Sequence, residues 1–400
     1  MTHSTLILIL SLVLHVAPGQ KIGDALQQAR EVYDSRGETT TIRIEPGTYQ
    51  EELTIDVPGL RLINASRHPS IGLHNHGVDA DPEAVRITWY YGHGYQYRSM
   101  GPTPNYGGRR TRRWNASVLV TAPDFYAENI IFENSFNLYI SSMEAQDSLV
   151  DISQSDLEWT EKERPKKHMP ERPKVVGSTM VQLKAYRERA AAISFTEEAR
   201  RAHLKNCRAV GRQDVLYGDQ GASIYWEGGM LCGAVDFIFG AMTLAVDRAT
   251  IVANINGESN DRCYIAAGRS GSDGGGKQLE QSAARGMLFY RCHIRNADPN
   301  ELLILPAGRQ SADPQVWLAR PWRSWGETVW AYTTWEPGLL NPQGWHTGLT
   351  KGAPCPNSYE FCSQDHSAGR PEWVRILVKP RLPDGTRVNP KKWGKVKGEK

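Results

Sequence analysis

The sequence predicts an all-β chain of short strands wound as a solenoid with large loops. Short strand-like runs separated by turns recur along most of the chain. No long helical pattern alternates with them, which disfavours a doubly wound α/β fold. The turns have ample material, with 37 Gly and 23 Pro in 400 residues. The repeat is imperfect, and periodicity by itself leaves a sandwich or a propeller open. With 40% hydrophobic and 23% charged residues, the composition supports a sizeable core and excludes collagen, coiled coil and polytopic membrane architectures. The net charge of +3 is too small to imply a nucleic-acid or membrane partner.

The chain begins with an apolar run, Leu6 to Leu14. A membrane span needs ~20 residues, so this run is too short to cross. Its length suits the apolar part of a signal peptide, although no Lys or Arg precedes it and Pro18 spoils cleavage after Ala17. The alternative is a first strand at Val13–Ala17, so residues 1–17 are expected to be one or the other. Ile22–Tyr33 carries apolar residues at helical spacing (Ile22, Ala25, Leu26, Ala29) and predicts a short helix capping the N-terminal end of the solenoid. Strands are then predicted at Thr41–Ile44, Leu53–Ile55, Ser117–Thr121, Ala127–Phe132, Ala192–Phe195, Ser223–Trp226, Leu244–Val246, Thr250–Ala253, Met287–Tyr290 and Thr328–Tyr332. The main domain is expected to span 18–380.

Two segments, about 68–114 and 141–180, read as loop insertions. The first holds Trp89, Tyr90, Tyr91, Tyr95, Tyr97, Tyr106 and Trp114 and ends in Arg109-Arg110-Thr111-Arg112-Arg113. Interleaved Arg and aromatics can bind a nucleic acid, but at this net charge a sugar polymer packed on the rings is preferred. The second is highly charged and reads as a solvated loop. The basic tail, 381–400, is expected to drape over the surface or fray.

The six cysteines form no C-x-x-C, which argues against a zinc ribbon or a thioredoxin-type motif. Cys207, Cys232, Cys263 and Cys292 are 25, 31 and 29 residues apart, which suggests a recurring interior position. Cys355 and Cys362 could close a small disulfide loop in an exported protein. His74-Asn75-His76 lacks a third ligand nearby and reads as two loop histidines rather than a metal site.

The chemistry concentrates in Gly211-Arg212-Gln213-Asp214-Val215-Leu216-Tyr217 and Gly233-Ala234-Val235-Asp236-Phe237-Ile238-Phe239-Gly240. Asp236 lies inside a β-branched and aromatic run, where a carboxylate is costly unless paired. The two aspartates are 22 residues apart, about one coil of a parallel β-helix. Stacked strands lie ~4.8 Å apart, so the two carboxylates would face each other. Like charges that close push one pKa up, leaving one proton donor and one nucleophile or base. Such a pair suits hydrolysis of an ester or a glycoside. Leu318-Ala319-Arg320-Pro321-Trp322 adds a guanidinium, suited to fixing a carboxylate, beside a large aromatic.

These three motifs, in this order, resemble the pectin methylesterases, carbohydrate esterases of the right-handed parallel β-helix (pectin lyase-like) fold. Further segments agree: Val16–Gln20 before the helix, the F-x-A-x-N-x-x-F-x-N run at Phe125–Asn134, Tyr264–Arg269, and Pro342–Trp345. The resemblance covers about residues 13–346. It implies that Asp236 is the nucleophile on a galacturonate methyl ester and that Asp214 is the general acid and then base. It implies that Gln213 helps hold the oxyanion, and that Arg320 orients the nucleophile. Tyr217, Phe237, Trp322 and Trp345 fall where the family places aromatics along its sugar cleft. The resemblance implies no metal or other cofactor, and pectin as the partner. It also implies a secreted or periplasmic setting, since the polymer cannot cross a membrane, with a monomer as the default.

One departure stands out. The family carries a second glutamine about one coil before Gln213, where this chain has Ala191. A lost oxyanion donor costs ~10²–10³ in rate, so a weakly active or non-catalytic pectin-binding β-helix is the alternative. A pectate lyase would need clustered carboxylates for calcium, and Asp219, Glu227 and Asp236 make no obvious cluster.

Overall fold

Strands of only two to six residues, mostly with apolar side chains turned inward, set the geometry of the chain. The computed structural model describes residues 12–93, 95–101, 115–150, 172–179, 181, 189–254, 263–273, 275–279, 285–302, 315–364 and 369–393. Successive turns of chain lay strands into three sheets of eleven, eight and seven strands. One turn runs Ala202–Lys205, Arg208–Val210, Leu216–Gly218, one strand to each sheet, and the next begins at Ser223–Glu227. All pairings in these sheets are parallel. This is the parallel β-helix, and the predicted strands fall within it.

The corner between the eleven- and eight-stranded sheets is built from one left-handed residue per coil. Asn129, Asn206, Gly228, Arg248, Arg291, Tyr332 and Cys362 all have φ between 46° and 65°. Gly and Asn adopt this conformation readily, whereas other residues incur ~1–2 kcal/mol. Asn206 Nδ2 also donates to Asn129 Oδ1 at 2.6 Å, linking two corners. Cys207 and Cys292 follow this corner and share one stacked position, in register with Gly229 and Ala249. Cys232 and Cys263 are also buried but sit within strands of two different sheets, so the recurring position holds for two of the four.

Inside, one column of the eleven-stranded sheet stacks Ile42, Leu62, Ala127, Leu204, Trp226, Val246, Phe289 and Trp330, all without solvent exposure. Phe289 and Trp330 stack with ring centroids 3.9 Å apart. The next position of the column is Glu360, also fully buried. Its carboxylate accepts from Trp345 Nε1 at 2.7 Å and from Arg370 Nε at 2.6 Å.

The predicted helix forms at Ile22–Arg36 and buries Ile22, Ala25, Leu26 and Ala29 against Leu12–Val16, Thr40–Ile44 and Leu53–Ile55. Its N-cap, Lys21, offers no side-chain acceptor. Glu51 supplies one, accepting from the backbone N–H of Ile22 and Gly23 at 2.8 and 3.0 Å. Gly37, at φ 66°, closes the C-terminus.

Several expectations need correction. Leu12–Val16 pairs in parallel with Thr40–Ile44, so the strand reading of the N-terminus is the one observed; residues 1–11 lie outside the described set. The segment 68–114 is not wholly an insertion, because Val85–Trp89 is a strand of the eight-stranded sheet. Its tyrosines do not face a ligand: Tyr90, Tyr91, Tyr95 and Tyr97 are buried with Phe136 and Ala190 in a cluster of their own. Stacking ring on ring removes more apolar area than leaving the rings open to solvent. Tyr106, the Arg109–Arg113 run, Trp114 and most of the charged loop fall outside the described residues. The tail does not fray as far as it is described. Leu382, Val388 and Trp393 are buried, and Trp393 Nε1 donates to Gly286 O at 2.9 Å. Cys355 and Cys362 are not bonded: the first is buried against Thr350 and Ala353, the second exposed. His74 and His76 turn to different partners, Asp81 and the carbonyl of Pro299.

Candidate active site

The 22-residue spacing of the aspartates is the coil repeat itself, since Leu216 pairs with Ile238 and Gln213 bridges Val235. Asp214 therefore lies one coil from Asp236. Both have left-handed backbones, at φ 56° and 46°. At Asp236 the register slips: Val235 opposes Tyr264 and Ile238 opposes Ala266, so one strand spends an extra residue. A bulge of this kind re-aims a side chain that ordinary alternation would fix. Close stacking downstream requires glycine, because a Cβ at Gly240 would stand 2.2 Å from the carbonyl oxygen of Gly218.

Asp236 is 6% exposed and Asp214 2%. Arg320 forks onto Asp236, with Nε to Oδ1 at 3.1 Å and Nη2 to Oδ2 at 2.7 Å. The guanidinium lies over the Tyr264 ring, 3.8 Å from its centroid, which holds the fork in plane. Asp214 has a different environment. Burial pushes its carboxyl up to about 7; the nearby Arg189 and Arg320 charges and the Gln213 amide oppose this, and Asp236 adds to it. Arg189 Nε is 3.3 Å from Asp214 Oδ2. One carboxyl thus holds a proton near neutrality while a guanidinium grips the other, the division that acid–base chemistry requires.

The four aromatics expected along a cleft separate into two pairs. Tyr217 and Trp322 belong to one small cluster outside the solenoid core, in which Tyr217, Phe239 and Ala267 are buried and Trp322 and Leu349 partly so. Tyr217 meets Phe239 at 5.3 Å and Phe239 meets Trp322 at 4.5 Å between ring centroids. Arg269 and Arg323 lie over Trp322 at 5.0 and 5.2 Å. Phe237 and Trp345, each 1% exposed, lie inside the solenoid core and line no cleft. The bulge at Asp236 explains the first: it turns both Phe237 and Ile238 inward and leaves Phe239 beside Tyr217. Trp345 is drawn inward by Glu360. Sequence reasoning missed Phe239, Tyr264 and Arg189. Stacking Phe239 one coil above Tyr217 would have found the first.

Pairing of Ile193 with Leu216 sets Ala191 level with Asp214, the alignment under which a glutamine is missing. Glu227 bonds His203 and Arg248 on the eleven-stranded sheet, away from Asp236. Among the described residues, no group of three His, Cys, Asp or Glu side chains could hold a metal ion, and no helix is long and apolar enough to cross a membrane.

Residues 175–360 match the family model described as Pectinesterase. A probable pectinesterase A of Aspergillus flavus is 27% identical over 179 residues, 44% of this chain and 46% of the relative. Pectinesterase 31 of Arabidopsis thaliana is 27% identical over 266 residues, 66% of this chain and 59% of the relative. The chain thus spans about half the length of these curated relatives. Among solved structures, pectin methylesterase from carrot superposes with a TM-score of 0.58 at 17% identity, covering 92% of this chain and 88% of that one. The deglycosylated Aspergillus niger pectin methylesterase gives 0.56 at 19%, covering 96% and 95%. At these identities the superpositions speak for the fold. Residues 175–360 thus carry the sequence similarity to the pectinesterases, and the chain shares the fold of the pectin methylesterases.

Proposed function

We propose that this chain hydrolyses methyl esters of galacturonate in pectin, releasing methanol and leaving free carboxylates. The observation that carries this reading is the stacked pair itself: Asp236 gripped by Arg320, and Asp214 one coil away with its carboxyl raised toward neutrality. Asp236, held in place by the Arg320 fork, attacks the ester carbonyl carbon as its carboxylate. The Gln213 amide donates to the resulting oxyanion. As the tetrahedral intermediate collapses, Asp214 gives its proton to the departing methoxide. An acyl-enzyme on Asp236 remains, methanol leaves, and Asp214 is now a carboxylate able to take a proton from water. That water attacks the acyl carbon, Asp236 is released, and Asp214 is protonated again. Trp322, half-buried and backed by Phe239, offers a ring on which a sugar face packs, and Arg269 and Arg323 bring positive charge to it, suited to an acidic polymer. A polymer that cannot cross a membrane places this work outside the cytoplasm.

The test is methanol release from highly methylated pectin, beside Asp236→Ala, with ultraviolet absorbance followed for unsaturated product. Methanol from the wild type and none from the variant is expected. Rising absorbance without methanol would indicate elimination instead. Ala191 favours a second reading, a pectin-binding β-helix with little turnover, and folded protein that binds pectin but releases nothing would select it.

A further inference from the structure

Ala191 stands level with Asp214 on the preceding coil, so a methyl group occupies the place from which a longer polar side chain could reach the carboxyl. Two residues earlier, Arg189 makes that approach, with Nε 3.3 Å from Asp214 Oδ2. Its side chain is 22% exposed, so it is largely covered.

The backbone under Arg189 is held from several sides. The His93 N–H donates to its carbonyl at 2.8 Å. The Ala190 N–H donates to Gln213 O at 3.3 Å, and Ala190 packs among Tyr90, Tyr91, Tyr95, Tyr97 and Phe136. Asn134 Nδ2 donates to the carbonyls of Tyr91, Asn115 and Ala191 at 3.0, 3.0 and 3.2 Å, tying the aromatic loop to this coil. The aromatic loop therefore forms the footing of Arg189.

We propose that Arg189 is a positioning residue for Asp214, and that it orients the Asp214 carboxyl and keeps its proton transferable. This inference rests on the esterase reading. The groups facing Asp214 are Asp236 and, behind it, Arg320 from the following coils, Gln213 on its own coil and Arg189 from the preceding one. Arg189 and Arg320 favour the ionised form and Asp236 opposes it. Without Arg189 the proton would be bound more tightly and released to the leaving methoxide less readily.

The experiment compares wild type, Arg189→Ala, Arg189→Lys and the pair Arg189→Ala with Ala191→Gln. The carboxyl titration of Asp214 is followed by carbon-13 NMR, and methanol release is followed against pH. In Arg189→Ala the titration is expected to move up by about one unit or more, and the alkaline limb of kcat to move up with it. Misplacing the acid is expected to lower kcat by ~10–100-fold while KM stays within about twofold. Lys restores part of the titration and part of the lost kcat, whereas adding Ala191→Gln, a neutral side chain, leaves the titration where Arg189→Ala put it. An unmoved titration overturns the proposal even if the melting temperature falls, because a purely structural role would do only that. A moved titration with unchanged kcat overturns it as well. Should wild type and Asp236→Asn alike release no methanol, the esterase reading fails, and the titration alone decides whether Arg189 governs Asp214.

Discussion

Two aspartates with left-handed backbones, buried one coil apart, are an arrangement that folding alone would not favour. Asp214 shows the cost directly. The folded chain holds its proton up to about 7, whereas an unfolded carboxyl loses it near 4. Its raised value means that stability is intact below about 4 and is lost as pH rises through about 7. Asp214→Asn is therefore expected to be more stable than wild type at pH 8, on the order of 1 kcal/mol or more, and nearly equal to it at pH 4. Urea unfolding at the two pH values measures this. Under the proposed mechanism the same variant should lose ~10²–10⁴ in methanol release, because the proposed proton donor is gone. Under that mechanism wild-type activity should also fall on an alkaline limb near 7, as Asp214 loses its proton. Asp214, Asp236, Gln213 and Arg320 were legible because each stands in a short motif of fixed order. Phe237 was misread for a local physical reason: a left-handed bulge resets side-chain alternation, and no residue type announces it.

At the scale of elements, the strands were legible from their apolar runs and the helix from its spacing, but the partners that finish them were not. Glu51 caps Ile22–Arg36 from a loop 28 residues beyond Gly23, too distant for any local capping pattern. Glu51→Ala leaves two N–H groups unsatisfied and should cost about 1 kcal/mol in chemical denaturation. Interior packing has larger consequences. Trp330 is fully buried and stacked on Phe289, so Trp330→Ala should destabilise by ~3–5 kcal/mol in the same assay. The aromatic loop misled because rings and arginines in sequence suit a binding surface as well as a satellite core. The choice between them depends on whether neighbouring segments cover the rings, and here Phe136 and Ala190, distant in sequence, help to do so.

For the whole molecule, the solenoid was legible only up to its class, since short strands and turns serve a sandwich equally well; the ordered motifs narrowed it to the β-helix. The tail was misjudged because composition counts its many cations and overlooks three anchors, Leu382, Val388 and Trp393, that seat it. How such a molecule ends was not legible at all. A stack of parallel coils has no inherent length, since each coil offers the next a ready template and open backbone at either end invites another chain to join. The apolar column that runs through Ile42 breaks at Glu360, whose carboxylate is already committed to Arg370 and Trp345, and the short strand Val374–Ile376 pairs beyond it. Glu360 therefore ends the apolar column, and the strand beyond it leaves Ile376, the next residue of that column, open to solvent.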